Sequence, residues 1–264
     1  MWEKFRRVWY IKELRNRVLF VLGMLVIFRL TAHIPVPGIN INNLRLFLEQ
    51  NQILGLLNIF SGGTLQNFSV VMLGVGPYIT ASIIFQLLAM VVPSLEELSK
   101  EGESGQQKIN MYTRIATVPL AVLQAFSFIK LLQQSQFAIF DTLSTWIFVS
   151  IMLTVTAGTV FLMWIGELIT EQKVGNGLSL LIFAGIVSAL PTTVQNIILN
   201  YNPSDLYTYL LFAALGVVTI LGVIYISEGQ RNIPVNYAKQ TRGGKVYGGV
   251  QSHLPLRVNM AGVI

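Results

Sequence analysis

The side chains best suited to chemistry are few in this chain, and their spacing supports no reaction centre. His33 and His253 are the two histidines, neither sits in an HExxH pattern or beside a carboxylate, and there is no cysteine. A histidine-based triad, a thiolate zinc site, an iron–sulfur cluster and a cysteine nucleophile therefore have no residues to build them, and neither a metal nor a cofactor is expected. The run Arg242-Gly-Gly-Lys245 lacks the GxxxxGK[ST] spacing that cradles phosphates. No nucleophile stands with a base, so no catalytic residue is assigned and an enzyme is the last of the readings. Ionisable groups inside apolar segments would mark a proton or ion path. Arg29 falls in the outer part of one such segment, while Glu167 and Glu171 fall at the end of another, where interfacial water is expected to solvate them.

The elements that would position any site are apolar. Of 264 residues, 53% are hydrophobic and 11% charged, and the mean hydropathy is +0.62; ordinary soluble domains carry about 25% charge. Uncharged or nearly uncharged runs at 18–36, 68–93, 115–133, 143–166, 178–198 and 206–227 are long enough to cross about 30 Å of hydrocarbon as helices. The expected fold is an all-α polytopic membrane protein with six spans. The opening 1–17 has no small-residue cleavage site after it and reads as a retained, amphipathic cytoplasmic terminus. With the N-terminus inside, fifteen of the eighteen Lys and Arg fall on the cytoplasmic side, leaving Arg29, Arg45 and Lys130 outside.

Two connections stand out. Between the first two runs, Ile53 to Phe60 is apolar but too short to span, and Ser61-Gly62-Gly63 stops it. A half-helix followed by a break is the natural reading, because irregular backbone at membrane depth needs protein or a water-filled cavity to satisfy it; an interfacial re-entrant loop is the bland alternative. The other is the loop at 228–257, which holds five basic residues, with glycine pairs at 243–244 and 248–249 bracketing Lys245-Val246-Tyr247. That pattern predicts a β-hairpin with a basic tip for an anionic partner, or else a plain topology anchor. Gly74, Gly76 and Pro77 weaken the first half of the second run, and Thr154, Thr156 and Thr159 are expected to bond to backbone carbonyls or neighbouring helices.

Five separated blocks, in order, resemble the SecY family of protein-conducting channel subunits: IPVPGIN at 34–40, FSGGTLQNFSVVMLGVGPYITASIIFQLL at 60–88, KEGESGQQKI at 100–109, GNGLSLLIFAGIVSALP at 175–191, and NIPVNYAKQ with SHLPLRVNMAGVI beyond 231. The resemblance implies a ten-span channel of two five-helix halves around an hourglass pore that also opens sideways into lipid. Residues 18–198 would be the first half, 199–227 the sixth span, 228–257 a cytoplasmic loop and 258–264 the start of a seventh span. A truncated form, or one piece of a split subunit, is then expected. The half-helix at about 54–66 would be the plug, with Leu57, Ile59, Phe60, Ser61, Gly62 and Gly63 at its heart.

The same resemblance implies an aliphatic pore ring to which Val75, Ile79, Leu178 and Ile182 contribute. Each pair has i, i+4 spacing and shares a helix face, which on pattern alone is ordinary packing. Lys100, Lys108, Arg231, Lys239, Arg242, Lys245 and Arg257 would dock the translating ribosome or the motor ATPase SecA. SecE and SecG would be partner subunits, the second and third spans would form one side of the lateral gate, and signal sequences, nascent chains and membrane lipid would be the ligands, all at the bacterial cytoplasmic membrane. The rival readings are a small-solute channel gated by the broken segment and a non-conducting membrane scaffold that recruits a soluble partner through its basic loop.

Overall fold

Prolines, glycines and charges decide where the apolar runs become helix. The computed structural model describes residues 10–140, 144–199, 202, 206–236, 240–242, 245–247 and 251–257, which fall into two units, Met1–Gln195 and Asn196–Ile264. The first unit holds α1 (Lys12–Thr31), α2 (Ile41–Gln50), α3 (Gln52–Phe60), α4 (Gly76–Val91), α5 (Pro93–Lys100), α6 (Glu103–Gln133), α7 (Thr145–Glu171), α8 (Gly177–Val187) and the start of α9 (Leu190–Leu199). Among the described residues, four helical stretches are long and apolar enough to cross a membrane: α6, α7, α8 with α9, and α10 (Leu206–Glu228) of the second unit. The pair α4 and α5, bent by 102°, makes a fifth only when the two are counted as one span.

The first four of the six expected spans differ from their predicted bounds by five residues or more, with α6 beginning at Glu103 rather than 115 and α7 running on to Glu171 rather than 166. The first is the helix α1, which begins within the charged N-terminal stretch and ends at Thr31, with 32–40 non-helical. Arg15, Arg17 and Arg29 keep it out of the purely apolar class. The second starts at Gly76 rather than 68, with Pro77 in the first turn, where a missing N–H costs no hydrogen bond. Pro93 likewise opens α5 and leaves Val92 extended at φ −97°, ψ 113°, which breaks the run. Residues 61–75 are turns apart from Ser69, which bridges to Pro35, and α2 is an element that apolar length does not predict. Asn40 caps α2 by accepting from the N–H groups of Asn42 and Asn43 at 3.1 and 3.2 Å, while Leu44 and Leu48 share its buried face.

Small residues at helical spacing let the long helices approach. The buried stripe of α6 is Gly105, Ile109, Thr113, Thr117, Ala121, Ala125, Ile129 and Leu132, and α7 buries Val155, Gly158, Thr159, Leu162, Gly166 and Ile169. The threonines satisfy their hydroxyls within their own helices: Thr117 donates to the Thr113 carbonyl at 2.7 Å and Thr156 to Met152 at 2.8 Å. At Gly158 a Cβ would overlap the Val70 carbonyl oxygen, so α7 seats the irregular segment directly. That segment feeds two apolar clusters. Phe68 and Met72 join Leu44, Ile129 and Ile151, whereas Val71 and Val75 join Phe28, Leu162 and Leu181. Its backbone is satisfied by the 34–40 strip: Val36 N–H donates to Phe68 at 2.9 Å, and Val70 N–H donates to Ile34 at 3.0 Å.

In the second unit, α10 is followed by β1 (Gln230–Asn236), β2 (Gln240–Arg242), β3 (Lys245–Tyr247) and β4 (Gln251–Arg257). β2 and β3 pair antiparallel with Arg242 opposite Lys245, as a hairpin at this place requires. Beyond the all-α expectation, β1 and β4 also pair, from Gln230 opposite Arg257 to Asn236 opposite Gln251. Pro234 and Pro255 are tolerated because each strand of a two-stranded ribbon has a free edge.

Candidate functional site: an apolar cavity beside a half-helix

The half-helix α3 is nine residues long, and the turn that ends it is tied to it by Asn58. The Asn58 carbonyl accepts from Gly63 N–H at 2.8 Å and from Ser61 Oγ at 2.9 Å, while its side-chain Oδ1 accepts from Gln66 N–H at 2.9 Å. Gly62 takes φ +72°, and a Cβ there would stand 2.6 Å from the Gly185 Cα of α8. Only glycine fits both the conformation and the approach. Arg29 of α1 reaches the same point, its Nη1 donating to the Gly62 carbonyl at 2.7 Å. The stop at 61–63 is thus a hydrogen-bonded, closely packed corner.

Beneath this corner lies a cavity of about 640 Å³. Val75, Ile79 and Ile182 line it together with Leu57 and Ser61, so five of the residues singled out from sequence share one space. Ile79 lies one helical turn beyond Val75, at the start of α4, and its N–H donates to the Val75 carbonyl at 3.0 Å. Ile182 comes from α8, whose start is fixed by Asn176 accepting from Leu178 N–H at 3.1 Å and Ser179 N–H at 3.2 Å. Leu178 is not among the lining residues. It lies against α7, where its Cδ2 would be 2.9 Å from a Cβ placed on Gly166. Gly62 and Gly63 form the corner rather than the wall, and the side chains of Ile59 and Phe60 lie outside the described residues.

Sequence reasoning missed the contribution of α6. Gln124, Ser127, Phe128 and Leu131 line the cavity from one helix face, a pattern that i, i+3, i+4 and i+7 spacing could have revealed. Phe28 and Leu162 add walls from α1 and α7. Ser61, Gln124 and Ser127 are the polar side chains in an otherwise apolar lining. Glu167 is not simply solvated at an interface: it forms an ion pair with Arg114 across α6 and α7, its side chain 21% exposed. Among the described residues no three His, Cys, Asp or Glu are grouped to hold a metal ion.

The basic residues are spread over both units. In the first, Lys100 pairs with Glu96 at 2.5 Å and Lys108 with Glu101 at 3.8 Å, all exposed. In the second, Arg231 is exposed on β1, Arg242 and Lys245 are cross-strand partners, and Arg257 ends β4. Lys239 lies outside the described residues.

Helices of membrane-spanning length, with a half-helix beside an apolar cavity, make this an all-α membrane protein. The SecY family model matches residues 69–264, and the chain belongs to the SecY family. Over 264 residues it is 45% identical to protein translocase subunit SecY of Mycobacterium bovis, an alignment that covers 96% of this chain and 59% of that protein. The protein of the same name from Escherichia coli K12 is 45% identical over 259 residues, covering 96% and 58%. That of Buchnera aphidicola is 46% identical, and 72% of its length is covered. The chain thus spans a little under three-fifths of the length of the first two. Among solved structures, a protein-conducting channel superposes with TM-score 0.58 at 17% identity, covering 90% of this chain and 51% of that one. Sec61 in the canine ribosome-channel complex from the endoplasmic reticulum gives 0.55 at 17% identity, covering 82% and 48%. At that identity the likeness is one of fold.

Proposed function

We propose that these residues form the first half and sixth span of a protein-conducting channel, which passes unfolded secretory chains across the cytoplasmic membrane and releases apolar segments into lipid. The carrying observation is the cavity itself, where Val75, Ile79 and Ile182 converge below Leu57 and Ser61. An apolar constriction resists ions because water leaves it readily, whereas an extended polypeptide fills it. Val75, Ile79 and Ile182 are this half's share of the pore ring. Leu178 supports it from the α7 side. The segment from Leu54 to Gln66 is the plug, and α4 with α6 is one wall of the lateral gate.

Chemistry at a cofactor has no part in this reading; the driving energy comes from ribosomal synthesis or from ATP hydrolysis by SecA, with SecE and SecG as companion subunits. The N-terminus is cytoplasmic, a reading supported by the excess of Lys and Arg on that side. The basic ribbon suits ribosomal RNA phosphate, and the ribosome-bound state of the Sec61 neighbour supports that partner.

The test uses a chimera in which residues 1–264 replace the matching part of the E. coli subunit. Ile79→Asn and Ile182→Asn are each expected to raise resting ion leak several-fold and to loosen signal-sequence selection. Unchanged conductance and selection in both would overturn the pore-ring assignment.

A further inference from the structure

Arg29 is the one Lys, Arg, Asp or Glu between Arg17 and Arg45. None of the ion pairs among the described residues includes it. A guanidinium at this depth is tolerated only with a strong acceptor, and the acceptor it meets is the Gly62 carbonyl, 2.7 Å away and 33 residues along the chain. Three further features make that carbonyl a designed partner rather than a chance one. It lies just past the C-terminal end of α3, where the helix dipole attracts a cation. Its orientation is fixed, because Gly62 is held at φ +72° with its backbone against Gly185. Asn58 ties the corner to α3, so a pull on Gly62 is a pull on the half-helix.

We propose that Arg29 is the latch that holds the half-helix seated over the cavity: a positioning residue that acts through the Gly62 carbonyl and must let go before the half-helix can leave. This rests on the channel reading above and adds to it the hydrogen bond whose release opens the path. A charge-assisted hydrogen bond of this kind biases a two-state equilibrium by about tenfold or more, enough to convert a rarely unseated plug into one that is frequently unseated.

The experiment measures resting ion leak and transport of a substrate with a defective signal sequence, using the same chimera with Arg29→Met, Arg29→Lys and, as a reference, Ile79→Asn. Arg29→Met is expected to raise the leak about tenfold or more and to admit the defective substrate. Arg29→Lys is expected to return both toward the parent, since its ammonium restores a charged donor. If Arg29→Met does not accumulate in the membrane, Arg29→Gln is read instead, with a smaller rise expected and no rise counting against the latch. A parental leak in Arg29→Met beside a leaking Ile79→Asn would overturn the latch and leave the channel reading standing. Equal leaks from Arg29→Met and Arg29→Lys would also overturn it. Silence of Ile79→Asn as well would remove the channel reading on which the latch rests.

Discussion

Two segments outside the spanning helices keep their shapes by opposite means. Residues 52–75 are shaped by side chains and close approaches: Asn58 ties the corner, Arg29 holds the Gly62 carbonyl, and Gly158 admits the Val70 backbone. The strands β1 to β4 are shaped by backbone ladders, seven register pairs between β1 and β4 and three between β2 and β3. On the ribbon, Arg231, Ile233, Leu254 and Leu256 remain exposed. A segment shaped by its side chains has few to spare, so substitution there disturbs structure. A segment shaped by its ladder keeps its side chains for a partner, so substitution there disturbs recognition.

This contrast is open to attack by mutation, and the largest effect is expected at Gly158→Val. Even a Cβ there overlaps the Val70 carbonyl, a backbone atom that cannot swing away, so a loss of about 3 kcal/mol or more, in the overpacking range and above, is expected. A fall in detergent melting temperature and in membrane abundance would register it; parental stability would mean α7 does not seat the segment. Gly62→Ala comes next, at roughly 1–3 kcal/mol for a non-glycine residue at positive φ, and the same melting assay should place it below the parent. Asn58→Ala removes the acceptor for Gln66 N–H and is expected to cost about 1 kcal/mol. The ribbon should behave differently. Arg231→Ala is expected to change stability by less than about 0.5 kcal/mol, while making the log-log salt dependence of ribosome binding shallower by about 0.9 for each phosphate that the arginine neutralises. A fall in stability as large as that of Asn58→Ala, with an unchanged salt slope, would erase the distinction.

Much of this was legible in the residues. Apolar length marked most of the spans, the eight-residue run from Ile53 closed by Ser61-Gly62-Gly63 marked the half-helix, and paired glycines around 243–249 marked the inner hairpin. Some of what was missed had a local signal. Pro77 and Pro93 are first-turn prolines that set the starts of α4 and α5, and Asn40 followed by Leu44 and Leu48 spells a capped amphipathic helix. Other features had none. The i, i+4 rule places Leu178 and Ile182 on one face, yet it cannot tell that α8 turns Ile182 to the cavity and Leu178 against Gly166. Arg29 and Gly62, or Arg114 and Glu167, meet only because the fold brings distant segments together, and charge counting assigns such groups to interfaces. The outer ribbon carries Pro234 and Pro255, which argue against strands unless each has a free edge.

The proposed channel passes a polypeptide in transit through the cavity bounded by α4 and α8. Its most direct test is photo-crosslinking in the chimeric channel, with a photoreactive residue at 79, 182 or 153 and a secretory chain arrested in transit. Ile79 and Ile182 line the cavity, whereas Leu153 is exposed on α7 away from it. The account predicts strong crosslinks to the arrested chain from 79 and 182 and none above background from 153. Crosslinks from 153 with silence at 79 and 182 would contradict it.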